Sequence, residues 1–182
     1  MRLRAGRQYE VEMIHKSTLP LVLLALIYGA PCARAQGLPA TTAETIDGKK
    51  LDFPGALRGS ISTCVFGFGK DSSDKVGVWL ESLSADNIDA WSVVNLETVP
   101  AVARTAVRIS MRKGTPSALR SRSLVISKDY KEWKKILEIQ QDNLPVVVLF
   151  DVAGEIVWKR RGTFSASIAD ELKARIAELK AH

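Results

Sequence analysis

The chain has 182 residues, of which 46% are hydrophobic and 25% charged, and its formal net charge is +6. This length and composition predict one compact domain with a hydrophobic core and exclude a largely disordered chain. The modest positive charge permits attraction to acidic proteins or anionic lipid without by itself indicating either.

Residues 1–35 are predicted to be a secretion signal peptide. The apolar run Leu19–Ile27 is too short to span a bilayer stably, and Ala33-Arg34-Ala35 has the small-x-small pattern that a signal peptidase cuts. Cleavage would release a mature chain that begins near Gln36. We therefore expect a periplasmic or otherwise extracytoplasmic protein, for which nucleic acid is not an expected partner.

Three alternatives for this first segment stay open. Met1 and Met13 are both candidate starts, because the stretch between them carries two acidic residues, which are unusual in a signal. Cys32 could accept a lipid, although Pro31 stands where a small residue is expected. The segment could also stay uncleaved and tether the chain to the membrane.

Cysteine and histidine are scarce in the remaining chain. Cys32 and His15 lie in the predicted signal, and His182 is the last residue, so Cys64 would be the single thiol of the mature chain. A single thiol cannot form an internal disulfide. Without an internal histidine, Ser-His-Asp and Cys-His catalytic arrangements are not expected. We likewise expect no metal and no cofactor.

The predicted domain spans residues 45–182 and follows a small, polar linker at 36–44. Its first element is a hairpin over Thr45–Phe53, with Asp47-Gly48 at the turn. Ser62–Phe68 is a β-branched and aromatic run, which is typical of a buried strand.

The next helix has an apolar stripe and could begin at Asp71 or Ser72 as its N-cap. The residues of the stripe are Val76, Trp79, Leu80 and Leu83. Trp91–Leu96 is predicted as the following strand, and Pro100 opens a helix that stops before Gly114.

The second half of the domain alternates in the same way and closes with a hairpin and a helix. The predicted elements are a strand at Leu124–Ser127, a short helix capped by Asp129, strands at Val146–Asp151 and Ile156–Arg160, and a helix from Ser167. In the last strand, Ile156 and Trp158 are predicted to share one face. This order predicts an α/β domain with a central mixed sheet flanked by helices.

The C-terminal half also resembles thioredoxin-like proteins. The residues that carry the resemblance form a proline-strand-turn-strand signature, namely Asn143–Asp151, Gly154–Trp158 and Gly162. The resemblance implies a thioredoxin-like fold in which the Leu144–Pro145 peptide bond is cis. An ordinary trans proline before the strand is the alternative.

A narrower resemblance covers about half of the chain. Residues 94–179 are similar to the assembly factors of the mitochondrial ATP synthase and their bacterial relatives, through Trp91–Asn95, Met111–Gly114, Leu149–Asp151 and Gly154–Trp158. That group implies a redox-inactive helper of a membrane complex that binds a protein client. The bacterial-type signal departs from the group, so the client need not be an ATP synthase.

The loop after the first buried strand tests the expected chemistry. Thioredoxin-type catalysis needs Cys-x-x-Cys at the start of the helix, where the helix N-terminus lowers the thiolate pKa. Here Gly69–Asp74 reads GKDSSD and contains no sulfur. The resemblance places a partner peptide along this loop and the proline turn, which makes the candidate binding residues Lys70, Asp71, Ser72, Ser73, Leu144 and Pro145.

The alternative function is that of a thiol-dependent oxidoreductase or peroxidase that uses Cys64. This cysteine lies inside an apolar strand beside Val65 and Phe66. Burial raises the pKa of a thiol and blocks access to it, so we expect an inert core cysteine.

A basic surface is predicted on the helix that follows Pro100. Arg104, Arg108 and Arg112 recur every four residues, Lys113 follows them, and no acidic residue stands between Val99 and Arg122. Such a stripe could contact anionic lipid or an acidic protein, and a solvated face is the alternative. Lys159–Arg161 is a second basic cluster, interpreted as a guard on an edge strand.

Overall fold

The computed structural model describes residues 37–181, which form one seven-stranded sheet with four helices around it. The predicted signal peptide, Cys32 and His182 lie outside the described residues. The strands are β1 Thr41–Thr45, β2 Lys50–Phe53, β3 Ser62–Gly67, β4 Ala90–Asn95, β5 Ser123–Ile126, β6 Val146–Phe150 and β7 Ile156–Arg161. The helices are α1 Lys70–Ala85, α2 Ala101–Gly114, α3 Tyr130–Ile136 and α4 Ala166–Lys180.

The sheet is mixed, as the alternation of elements predicts. Its strand order is β2-β1-β5-β4-β3-β6-β7. The pairs β3–β4 and β4–β5 are parallel, whereas the pairs toward both edges are antiparallel. Parallel strands need cover on both faces, and β3 is accordingly buried at every residue.

Two hydrophobic clusters lie on opposite faces of the sheet. Cys64 and Phe66 of β3 join a cluster that contains Trp133 of α3, whereas Val65 joins a cluster that contains Trp79 of α1 and Leu172 of α4. Successive residues of a strand point to opposite faces. The sheet therefore has α1 and α4 on one side and α3 on the other.

The N-terminal boundary of the domain lies earlier than predicted. Residues 41–44, assigned to the linker, belong to β1, which pairs with β2 and with β5. Thr41, Ala43 and Thr45 are buried, because alternate small side chains of β1 face the core. The predicted hairpin is confirmed, and its turn places Gly48 at a φ of +94°, a conformation that favours glycine.

The last strand departs from the predicted alternation. Phe150 pairs with Ile156 but Leu149 pairs with Trp158, so β7 carries one extra residue at Val157. Such a bulge turns the following side chain to the other face of the sheet. Ile156 consequently packs on the cluster of Trp133, and Trp158 packs on the cluster of Trp79.

Candidate functional site

The loop that leads into α1 and the loop that leads into β6 lie against each other. A Cβ atom placed on Gly69, the N-cap of α1, would stand 2.9 Å from the carbonyl oxygen of Asp142. Lys75 Nζ donates a hydrogen bond to the Asn143 carbonyl oxygen at 2.7 Å. The structure thus brings the two predicted segments, 70–73 and 144–145, to the same end of the sheet.

The predicted binding residues differ in how accessible they are. Lys70 and Asp71 are exposed, Leu144 is half-buried and Pro145 is buried. Among the described residues, neither the N–H nor the C=O group of Leu144 makes a hydrogen bond. The side chains of Lys70 and Asp71 are therefore open to solvent, and the main chain of Leu144 is not engaged by the described part of the chain.

Ser72 is not the N-cap of α1, and its side chain is turned toward the protein's own backbone. It is 0% exposed, and its hydroxyl donates to the Gly69 carbonyl at 2.6 Å and accepts from the Gly69 N–H at 3.2 Å. The first turn of a helix leaves backbone groups without partners, and this hydroxyl satisfies them locally. The helix begins at Lys70, so Asp71 is not its cap either.

The Leu144–Pro145 peptide bond is trans, which corrects the cis bond implied by the resemblance. Among the described residues the cis peptide bond is at Phe53–Pro54. Pro145 directly precedes β6, and its carbonyl accepts the Gly162 N–H at 3.0 Å. Pro145 thus continues the β6–β7 ladder in the isomer that most X–Pro bonds adopt.

A polar cluster that the sequence did not predict fixes the loop before Pro145. The Tyr130 hydroxyl donates to the Asp142 carboxylate, and Lys134 Nζ lies 2.8 Å from the other oxygen of that carboxylate. Arg161 donates to the Gln141 carbonyl at 2.9 Å. Nothing in the sequence pattern indicated this cluster, because Asp142 lies in a loop, Arg161 lies on β7, and no motif links them to Tyr130 and Lys134 of α3.

The electrostatics of Asp142 follow from these contacts. Burial alone would raise the pKa of Asp142, but its hydrogen bonds with Lys134 and Tyr130 hold the pKa below its ordinary value. The pKa of Tyr130 is raised, first by burial and then by the hydrogen bond to Asp142. The ionised form of Asp142 is therefore the one that holds the loop.

Replacing Asp142 by asparagine should make the stability of the protein less dependent on pH at acidic pH. A carboxyl group with a lowered folded pKa stabilises the fold above its unfolded pKa, about 3.9, and this contribution is lost as the pH falls through the folded pKa. We expect Asp142→Asn to lower the urea midpoint at pH 7 and to approach the wild-type midpoint near pH 3. Glu81→Gln, at an exposed position of α1, is the control and should stay close to the wild type at both pH values. A difference from the wild type that stays constant over this range would contradict the assignment.

Cys64 lies away from the N-terminus of α1. Its side chain is 0% exposed and belongs to the cluster on the face of the sheet opposite α1. Burial raises the pKa of the Cys64 thiol well above its ordinary value. A thiolate at this position would have neither the helix N-terminus nor solvent to stabilise it.

The predicted basic surface is largely turned toward the protein itself. Arg104 donates to the Val99 carbonyl at 2.8 Å, Arg108 pairs with Glu44, and Arg112 lies 3.6 Å from a carboxylate oxygen of Asp47. The acidic partners come from the β1–β2 hairpin, which the spacing within α2 could not reveal. Only the C-terminal end of the stripe, Arg112 and Lys113, is exposed.

The second basic cluster lies on β7, which is an edge strand of the sheet, as its interpretation as an edge guard requires. Arg160 pairs with Glu171, and its guanidinium lies over the ring of Trp158. Within residues 37–181, no group of three or more potential metal ligands is found. In the same range no helix is long and apolar enough to cross a membrane.

No family model and no curated protein matches the chain. Solved structures do match its fold. A SCO1/SenC family lipoprotein of Bacillus anthracis str. Ames is 13% identical with a TM-score of 0.53, over 81% of this chain and 96% of that one. A DsbE-type thiol:disulfide interchange protein of Chlorobium tepidum is 13% identical with a TM-score of 0.52, over 80% and 96% of the two chains. The exposed lipoprotein thioredoxin of Streptococcus pneumoniae strain TIGR4 is 14% identical with a TM-score of 0.50, over 75% and 99%. The chain therefore has a thioredoxin-like fold.

Proposed function

We propose that this chain is an exported, redox-inactive thioredoxin-like protein that binds a protein partner. The observation that carries the proposal is the loop at the start of α1, where Gly69–Asp74 holds no cysteine. The one thiol of the described chain, Cys64, is buried on the opposite face of the sheet. The thioredoxin-like fold thus keeps the loops before α1 and β6 but lacks the cysteine pair that thiol–disulfide exchange requires.

The main chain of Leu144 supports binding of an extended peptide at this end of the sheet. Its N–H and C=O groups have no partner among the described residues, and the exposed side chains of Lys70 and Asp71 lie on the adjoining loop. Extended peptides bind through main-chain hydrogen bonds, which give affinity without requiring one sequence. The proposed site therefore suits a flexible segment of a protein client.

The client is proposed to belong to a membrane complex that the protein helps to assemble or maintain. Support comes from the resemblance of residues 94–179 to assembly factors of the mitochondrial ATP synthase. Two of the structural neighbours are lipoproteins, which agrees with the export predicted from residues 1–35. These likenesses are analogies of fold and sequence and not of site chemistry.

The native protein should resist thiol reagents. Because Cys64 is 0% exposed, we expect a Cys32→Ser chain to react with a coloured thiol reagent only after denaturant is added, and to reduce neither disulfides nor peroxides. A Cys32→Ser/Cys64→Ser chain is the blank for both assays. Rapid labelling of the native chain, with turnover that Cys64→Ser abolishes, would establish the thiol enzyme in place of the binding protein.

Site-specific crosslinking in the native envelope tests the binding site directly. A photoreactive residue in place of Lys70 or Leu144 should yield the same crosslinked protein, identified by mass spectrometry. The same residue in place of Lys50, in the other edge strand β2, is the control and should not yield it. Equal yields at all three positions would contradict a partner site at this end of the sheet.

A further inference from the structure

The α2 helix is attached to the domain largely by its charged side. Arg104 reaches the carbonyl groups of Glu97 and Val99, and Arg108 pairs with Glu44 of the β1–β2 hairpin. Val107 and Met111 pack against a small cluster beside them, yet no residue of α2 is buried. These contacts fix which side of the helix faces the domain, and therefore which side faces away.

The side that faces away is apolar. Val102 is 94% exposed and Ile109 is 52% exposed, and Ala106 between them is exposed as well. Residues at i, i+4 and i+7 share one helix face, so these three form a continuous outer stripe. In an ordinary surface helix the charged residues would point outward and the apolar ones inward, and here that arrangement is reversed for these residues.

The outer stripe is bordered by cations at its C-terminal end, whereas Ile109 also lines a groove with Glu44 and Asp47, whose carboxylates pair with Arg108 and Arg112. Between Thr98 and Lys128 the sequence holds no acidic residue, and Arg112 and Lys113 at the end of α2 are exposed. An apolar stripe bordered by cations fits the interface of an anionic bilayer, where cations meet lipid phosphates and apolar side chains enter the acyl boundary. We propose that the outer stripe of α2, Val102, Ala106 and Ile109, lies on an anionic membrane surface.

The charges around α2 disfavour a second copy as the occupant of this stripe. Two α2 helices packed stripe to stripe would place the same basic residues beside each other, with no acidic residue of the helix between them. Like charges at such a contact are repulsive.

The membrane proposal depends on the proposed function only for export of the chain, and not for redox inactivity or client binding.

Tryptophan placed on the outer stripe tests this proposal in the full chain. Val102→Trp is compared with Val78→Trp, because Val78 is 50% exposed on α1 and lies outside the proposed surface. Each variant is mixed with vesicles of phosphatidylglycerol and phosphatidylcholine that carry brominated acyl chains. Interfacial helices bury their apolar face about 5–10 Å deep, within reach of the bromines. We expect quenching beyond the wild-type signal for Val102→Trp only.

Three results of the quenching experiment would overturn the proposal. They are quenching that is equal in both variants, quenching that is unchanged on vesicles of phosphatidylcholine alone, and the lack of added quenching on anionic vesicles. Any contribution of residues 1–35 to vesicle binding is common to both variants, so it cannot produce the expected difference. Sedimentation that shows a dimer broken by Val102→Asp would assign the stripe to a second copy instead. The thiol and crosslinking experiments do not involve α2, so their failure would be distinct from a failure here.

Discussion

Replacing Trp133 by alanine is expected to lower the free energy of unfolding by about 3–5 kcal/mol, because it opens a cavity in a closed aromatic cluster. Trp133 is 0% exposed, and its ring lies 5.5 Å from the ring of Phe53 and 5.6 Å from that of Phe66. Trp133 is the one buried side chain of α3, so the packing of this helix on the sheet depends mainly on it. Equilibrium denaturation by urea at pH 7 measures the change.

Phenylalanine variants separate the packing of a tryptophan from its hydrogen bond. Trp79 Nε1 donates to the Gly162 carbonyl at 2.9 Å, whereas Trp133 Nε1 is buried and has no partner among the described residues. Trp79→Phe removes a donor from a carbonyl, which costs about 1–3 kcal/mol where the carbonyl is left buried and unsatisfied. Trp133→Phe removes an orphan donor, so we expect it to be the milder of the two. The reverse order would contradict this account.

The elements with strong apolar periodicity were predictable from the sequence. The stripe from Val76 to Leu83 and the apolar run from Val146 to Phe150 occupy the predicted helix and strand, because burial of such runs outweighs any local preference. Residues 41–44 of β1 were assigned to the linker because TTAET carries no large apolar residue. Thr41, Ala43 and Thr45 are buried because β1 pairs with β2 and β5, which turns these alternate side chains toward the core.

The features that were missed depend on contacts between distant segments. The spacing of the arginines in α2 places them on one face, but only the position of the β1–β2 hairpin shows that Glu44 and Asp47 neutralise that face. The bulge at Val157 reverses Trp158 although the residues on both sides alternate regularly in the sequence. Register and pairing of this kind are set by the whole sheet and not by local pattern.

The candidate site was likewise predictable only in part. The sequence placed Lys70, Asp71 and Leu144 at the ends of predicted strands and helices, which sufficed to locate the two loops. The resemblance made Ser72 a candidate for partner binding, but a serine near a helix start can equally bind its own backbone, as this one does. The polar cluster around Asp142 lay outside any motif, so only the folded chain reveals what holds the loops together.

Gly69→Ala is expected to destabilise the protein by about 1–3 kcal/mol and to weaken crosslinking at Leu144, because the added Cβ would force the two loops apart. That Cβ would lie 2.9 Å from the Asp142 carbonyl oxygen and 3.2 Å from the Asp142 Cβ atom. The obstacle is backbone, held in place by the contacts of Asp142 with Tyr130 and Lys134, so it cannot simply rotate away. Gly69 itself has a φ of −145° and a ψ of 167°, which any residue adopts, so the cost is steric and not conformational.

Two further variants test whether steric contact causes the destabilisation expected for Gly69→Ala. Gly77 lies in the same helix with nothing within 4 Å of an added Cβ, so Gly77→Ala should stabilise the protein by about 0.5–1 kcal/mol. Gly69→Ser supplies a better N-cap than glycine, so a gain in stability would show that capping dominates at this position. We expect a loss, because the serine Cβ meets the same carbonyl oxygen as that of alanine. Urea denaturation measures the change in the free energy of unfolding for both alanine variants. A loss for Gly69→Ala with a gain for Gly77→Ala would show that the close approach of the two loops, and not the helical propensity of α1, determines the effect at Gly69.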